Sequence, residues 1–311
     1  MLTALAGGVG AARMLRGLAD VVAPGDITAV VNTADDVVLH GLHISPDLDT
    51  VVYTLGAGND DDRGWGLAGE TWTVMEALER YGGQTWFRLG DRDLATHLYR
   101  TQRLAEQATL TEVTAEIAAA WSVGVHLLPM SDDRVETRIT VAGPAVGTSV
   151  EIGFQEWFVG RRHAVPVERV RFRGADEARP APGVLAAIAA ADTVVICPSN
   201  PLVSIGPILA VPGVADAVRA RRDDVVAVSP IVAGAALRGP ADSLLRDLGH
   251  ESSVVGVARL YAPLAATLVV DDADAELAPG VEAAGMRCVV APTVMRGRAE
   301  AATLGRVVVG G

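Results

Sequence analysis

The 311-residue chain holds 38 acidic and 26 basic residues, a net charge of −12, and every cation is an arginine. That balance argues against nucleic acid as the main partner, and the lack of lysine rules out a Walker lysine, a Schiff base and a lysine general base. Hydrophobic residues make up 50%, which excludes disorder and supplies a sizeable core.

In chain order, residues 2–6 and 27–31 read as buried strands, and residues 10–21 between them space Met14, Leu15 and Leu18 as a helix does. Strand, glycine turn, helix, strand is a βαβ start and implies a parallel sheet. The turn itself, Gly7, Gly8, Val9 and Gly10, offers backbone N–H groups to phosphate oxygens. Arg13 lies in the first turn of that helix, where the dipole favours anions. An arginine reaching a bound phosphate accounts for it. The second strand runs into Asn32-Thr33-Ala34-Asp35-Asp36, and Ser45-Pro46-Asp47-Leu48-Asp49-Thr50 follows. Taken as extended, the latter segment puts Asp47 and Asp49 on one side, where they repel unless a cation lies between them. Carboxylate oxygens beside a phosphate-binding turn suit Mg2+.

Residues 70–81, 92–105 and 111–121 have amphipathic helical spacing, and 136–142 and 148–154 read as paired strands around Gly143-Pro144. Alternation then resumes with helix 183–191, strand 193–197, helix 206–220 and strand 225–228. Further strands are predicted at 254–256, 267–270, 287–290 and 306–309. The fold class is therefore α/β, a Rossmann-like, doubly wound and mainly parallel sheet. Its core halves are residues 1–65 and 180–311, its large α+β insertion is 66–179, and residues 1–311 form one compact unit. In such sheets ligands sit at the carboxyl ends of the strands. Gly7 to Gly10, Asn32 to Asp36, Pro198-Ser199-Asn200-Pro201 and Ser229-Pro230-Ile231 all follow predicted strands, so these loops converge.

No signal-peptide pattern opens the chain, and the most apolar stretch, Val184 to Cys197, is interrupted by Asp192 and too short for a bilayer. A cytoplasmic protein is expected, with Cys197 and Cys288 as free thiols. The residue chemistry points to metal-assisted nucleotide or phosphoryl transfer. An NAD-dependent dehydrogenase is the rival reading. It needs a third fingerprint glycine where this chain has Arg13, and it gives no reason for Asp47 and Asp49.

Taken together, the glycine turn, the two acidic segments, Leu89 to His97, Met130-Ser131-Asp132-Asp133, Phe154-Gln155-Glu156-Trp157, Pro198 to Pro207 and Val228-Ser229-Pro230-Ile231 resemble the 2-phospho-L-lactate transferase family of coenzyme F420 biosynthesis. The resemblance spans nearly the whole chain, and Asp61-Asp62-Arg63-Gly64-Trp65-Gly66 leans toward its actinobacterial, phosphoenolpyruvate-using form. It implies a Mg2+-dependent transfer from a guanosine diphosphate ester of lactate or enolpyruvate to the ribityl hydroxyl of the deazaflavin Fo, giving (dehydro-)F420-0 and GMP. By the same resemblance Asp49 contacts metal and Fo, and Arg88 contacts Fo. Gly7, Gly8, Val9, Gly10, Ser199 and Asn200 face the donor, with Arg13 beside them. Asp36 joins Asp49 as metal ligand, and either of the two is the carboxylate that orients or deprotonates the hydroxyl. The insertion is expected to supply Arg88 and Trp157, and the protein to be a homodimer. Two departures stand out. Ala11 replaces a family glycine, and Val232 to Ala236 lack the family's lysine, for which Arg238 is a substitute. A non-catalytic nucleotide or nucleotide-sugar binding regulator, like the related gluconeogenesis and morphogenesis factors, is the other alternative. The segment Gly90 to His97 disfavours it.

Overall fold

In the computed structural model, which describes residues 1–310, seven strands make the central sheet. They are β1 (Leu2–Ala6), β2 (Ile27–Val31), β3 (His126–Pro129), β4 (Thr193–Ile196), β5 (Val225–Val228), β6 (Thr267–Val270) and β7 (Arg287–Val290). Their order is β7-β6-β5-β4-β1-β2-β3, and every pairing is parallel. Both faces are covered. Leu5, Val30, Val194 and Ile196 enter one apolar layer, while Ala4, Ala6, Val31 and Val195 enter the other. Continuous apolar runs such as Ile27–Val31 are what a doubly covered parallel strand requires. The order reverses between β1 and β4, which leaves a crevice at their carboxyl ends.

Four predicted elements differ. Residues 254–256 are the start of helix Val254–Tyr261, because Ser253 Oγ caps it by accepting from the Gly256 N–H at 3.1 Å. Residues 306–309 belong to helix Arg298–Gly310, which crosses helix α1 (Gly8–Ala19) where Gly17 and Gly305 let the backbones approach. The helix predicted over 206–220 is two, Gly206–Ala210 and Val214–Ala220, broken at Pro212 and at Gly213 with φ +85°. Asp47 and Asp49 lie in helix α2 (Pro46–Leu55), not in an extended segment, so they diverge by about 200° around its axis.

The insertion is also not continuous. β3 lies inside the stretch 66–179 yet is an edge strand of the main sheet, with helix Leu110–Ala120 leading into it. Before it come helices Thr73–Arg80 and α3 (Asp93–Ala105). After it, Glu136–Ala142 pairs antiparallel with Ser149–Gly153 and Val167–Arg173. No single helix among the described residues is long and apolar enough to cross a membrane. Cys197 and Cys288 are free.

Candidate active site

The loop after β1 and the loop after β4 meet across the crevice. Gly8 holds φ +70°, and a β-carbon on Gly10 would collide with the Pro198 carbonyl. Ser199 Oγ donates to the Gly7 carbonyl at 2.8 Å and ties the two loops. Asn200 Oδ1 accepts from the N–H groups of Leu202 and Val203, while its Nδ2 is buried without a partner. Gly7, Gly8, Val9, Gly10, Arg13, Ser199 and Asn200 all line one cleft of about 1030 Å3, so the sequence-predicted donor residues converge.

The acids sort differently from expectation. Asn32, at the end of β2, donates Nδ2 to Asp35 Oδ2 at 3.1 Å and to Asp47 Oδ2 at 3.0 Å. The Gly8 N–H also bonds the Asp47 carboxylate, and Asp35 Oδ1 is buried with no partner. Burial, then the Asp47 charge, holds the Asp35 carboxyl well above the usual carboxylate range. Burial pushes Asp47 up to about 6. A buried carboxylate and a half-buried one, joined by one amide and with one unpartnered oxygen, make a donor set suited to a hard divalent cation.

Asp49 points elsewhere. Arg100, on α3, engages both of its oxygens, Nη1 reaching Oδ2 at 3.2 Å and Nη2 reaching Oδ1. His97 Nδ1 lies 3.6 Å from Asp49 Oδ2, its Nε2 lies 3.2 Å from Asp93 Oδ2, and Tyr53 donates its hydroxyl to Asp93 Oδ1 at 2.6 Å. Asp49, Asp93, His97 and Arg100 are all buried. Asp36 accepts from Ser45 Oγ at 2.6 Å and opens onto a second cavity of about 370 Å3, not onto the main cleft. Burial raises its carboxyl to about 8. The structure separates the expected metal pair Asp36 and Asp49, and Asp49 falls with Asp93 and His97 in a group whose ligand atoms lie within 4.8 Å of one another. Asp36 is turned away and held largely as the neutral acid. Asp49 is already neutralised by a guanidinium. Asp35 and Asp47 line the main cleft together with Asp49.

The remaining walls are aromatic and cationic. Trp65, Trp86, Phe87, Phe154 and Phe158 line the cleft. Trp157 does not. It is fully buried, its Nε1 donating to the Val165 carbonyl at 2.9 Å. Arg88 lines the cleft as expected, its guanidinium 4.5 Å from the Trp72 ring centre. Arg63, Arg162, Arg238 and Arg296 join Arg13 and Arg88 around the opening. Sequence reasoning missed the Asp93–His97–Arg100 face as a unit. Its signal was present, since i, i+4 and i+7 fall on one helical face.

A family model described as "2-phospho-L-lactate transferase CofD" matches residues 2–288. Among curated proteins, a phosphoenolpyruvate transferase of Kitasatospora aureofaciens is 50% identical over 297 residues, covering 94% of this chain and 92% of its own. Proteins of the same name from Thermobifida fusca and Mycolicibacterium smegmatis are 49% and 46% identical, covering 92% and 87% of this chain and 91% and 86% of their own. Among solved structures, a UPF0052 family member from Bacillus halodurans superposes with a TM-score of 0.63 at 19% identity, over 99% of this chain and 98% of its own. That likeness speaks to the fold alone.

Proposed function

The chain belongs to the 2-phospho-L-lactate transferase family and is a transferase of coenzyme F420 biosynthesis, and from that premise we propose that it moves an enolpyruvyl phosphate group from a guanosine diphosphate ester to the ribityl hydroxyl of Fo. The enolpyruvyl donor is preferred to the lactyl one because the relatives at about half identity are named phosphoenolpyruvate transferases. The observation that carries the reading is the cleft itself. An acidic pair sits at the tip of a glycine turn, arginines ring the opening, and aromatic rings face a space large enough for two substrates.

Asp35 and Asp47 are the residues that would hold Mg2+ in this reading, Asn32 fixing both carboxylates. Bound there, the ion supplies neutralisation of the diphosphate charge. The glycine turn and the unpartnered Asn200 Nδ2 offer donors to the phosphate oxygens. Asp49, clamped by Arg100, orients the attacking hydroxyl and takes its proton. Because Arg100 fixes Asp49 in one place, it holds the hydroxyl in a set direction, which is the positioning on which phosphoryl transfer depends. Arg88 and the aromatic wall hold the flat ring of Fo. The test is incubation of purified protein with Fo, Mg2+ and each donor, read by product mass. The expected product lacks the hydrogen pair that a lactyl product carries. No Fo-derived product with either donor would refute the assignment.

A further inference from the structure

Helices α2 and α3 are joined by a set of buried polar side chains. Asp49 and Tyr53 lie one turn apart on α2, and Asp93, His97 and Arg100 follow one stripe of α3. Asp49, Asp93 and His97 line the main cleft, whereas Arg100 opens on the second cavity. The reading above gives work to Asp49 and Arg100 and none to the others. A guanidinium donates hydrogen bonds and accepts none. Arg100 Nη1 lies 3.4 Å from His97 Nδ1, so Nδ1 is the acceptor and the ring proton is on Nε2. Nε2 faces Asp93 Oδ2 at 3.2 Å, off the line of a full hydrogen bond. The other Asp93 oxygen accepts from the Tyr53 hydroxyl at 2.6 Å. Burial works against the Asp93 charge, yet His97 and then Tyr53 hold its carboxyl below the usual range. Burial, then the charges of Asp49 and Asp93, raise the Tyr53 hydroxyl, so it stays a donor. The imidazole thus turns one nitrogen to each side, and Arg100 already neutralises Asp49. That makes a chain of partners, not a cage for a cation.

The order of that chain says what it does. Arg100 Nη1 is shared among Asp49 Oδ2 at 3.2 Å, the His43 carbonyl at 3.3 Å and His97 Nδ1. A guanidinium seated from several directions keeps one orientation, and the carboxylate it grips keeps one too. We propose that Asp93 and His97 are positioning residues for the transfer. Asp93 fixes the imidazole with its proton on Nε2, the bare Nδ1 seats Arg100, and Arg100 aims Asp49 at the acceptor hydroxyl. The proposal rests on the reading above, in which Asp49 takes the proton. In that step the hydroxyl oxygen bonds to phosphorus as its proton passes to Asp49. The bond from phosphorus to the bridging oxygen breaks, and its electron pair leaves on GMP. Asp93 and His97 act through Arg100 and touch none of the reacting atoms. Asp93→Asn isolates the effect. The asparagine oxygen keeps the Tyr53 bond while its amide N–H turns toward Nε2. The ring proton then moves to Nδ1, where it meets a permanent cation, and Arg100 loses its seat. A displacement of about 1 Å in the aim of a reacting group costs on the order of 100-fold in rate.

The experiment compares wild type with Asp93→Asn, His97→Asn and His97→Leu. It reads kcat, KM for Fo, Fo affinity by its fluorescence, and the NMR shifts of the His97 ring nitrogens. Wild type is expected to carry the proton on Nε2 and Asp93→Asn on Nδ1. Asp93→Asn and His97→Leu are each expected to lose about 100-fold in kcat, with KM and affinity for Fo unchanged. His97→Asn puts a side-chain oxygen near the place of Nδ1 and is expected to keep kcat within about tenfold of wild type, a rescue that simple loss of packing does not produce. A wild-type ring with its proton on Nδ1 would overturn the chain, and that spectrum decides even where a substitution unfolds the protein. Wild-type kcat in both Asp93→Asn and His97→Leu would overturn it while leaving the transfer reading intact. So would Fo affinity falling in step with kcat, because the side chains would then touch the acceptor themselves. One equivalent of Zn2+ bound by wild type and lost in His97→Asn would make the group a metal site instead. Wild-type protein that makes no product with either donor would overturn the transfer reading and the positioning role with it.

Discussion

Asp47→Asn and Asp49→Asn, two residues apart in one helical turn, are expected to move stability in opposite directions when no metal is present. Asp47 shares Asn32 with Asp35 and is pushed from 3.8 to about 6 by burial. At neutral pH that shift corresponds to about 3 kcal/mol of cost to hold the charge, at about 1.4 kcal/mol per unit. Because the two acids share the repulsion, we take about half, ~1–2 kcal/mol, as the gain on removing one. Asparagine keeps the shape, and its amide oxygen still accepts from Asn32, so that partner is not lost. Asp49→Asn has the opposite sign. It leaves the fully buried Arg100 guanidinium without its counter-ion, a loss of ~3–5 kcal/mol. Denaturant unfolding at pH 7 in chelator measures both. Repetition with Mg2+ then separates the roles. Wild type gains stability as RT ln(1 + [L]/Kd), about 1.4 kcal/mol for each tenfold excess over Kd, and Asp47→Asn does not. If Asp47→Asn instead destabilises the metal-free protein and keeps the full Mg2+ response, the pair does not hold the ion and the reasoning from shared burial fails.

Asp36 supplies a pH signature. Its carboxyl is raised from 3.8 to about 8, so the folded state holds a proton that the unfolded chain has released above about pH 4. The associated stabilisation is full below about pH 4 and is lost as pH rises through about 8; partial exposure of the residue reduces it to ~1–2 kcal/mol. Asp36→Asn is therefore expected to flatten the stability profile across that window, and an unaltered slope in pH-dependent urea denaturation would count against it. Gly8→Val places a β-branched side chain at φ +70°, at a strain of ~1–3 kcal/mol, and is expected to abolish GDP binding in calorimetry while sparing Fo; equal loss of both ligands would mean a folding defect. Arg88→Ala removes the guanidinium over Trp72 and is expected to weaken Fo binding about 5- to 30-fold, as ~1–2 kcal/mol of cation–π and hydrogen-bond contact implies; an unchanged fluorescence titration would remove Arg88 from the acceptor wall.

Strands buried on both faces announced themselves as unbroken apolar runs, so Ile27–Val31, Val225–Val228 and Thr267–Val270 stand where the sequence puts them. β3 did not, because four residues ending in a proline at the sheet edge carry neither length nor alternation. The local conformation around Asp47 and Asp49 was misread for a local reason. Pro46 at the first helical position, with Asp47 and Asp49 in the first turn, is a helix-start signature. An extended reading of that segment made the two aspartates neighbours, when the helix sends one to Asn32 and the other to Arg100. Arg100 was illegible for a different reason: its partner lies 51 positions earlier in the chain, and only the packing of α3 against the strand Leu42–Ile44 brings them together. The glycine turn and the Ser199-Asn200 loop were found because strand order obliges loops at a switch point to face each other, whatever their sequence separation.

The cleft has two authors. Its glycine-turn side is written by the sheet, in turns that any chain with this strand order must place at the same spot. Its opposite side is written by Trp86 to Arg88 and Phe154 to Phe158, carried on segments that flank β3 and form no part of the sheet. Exchange of those segments would present a new acceptor to an unaltered activated-group pocket. Under the proposed assignment of donor and acceptor sides, the architecture lets the choice of molecule to be modified drift independently of the machinery that delivers the modifying group.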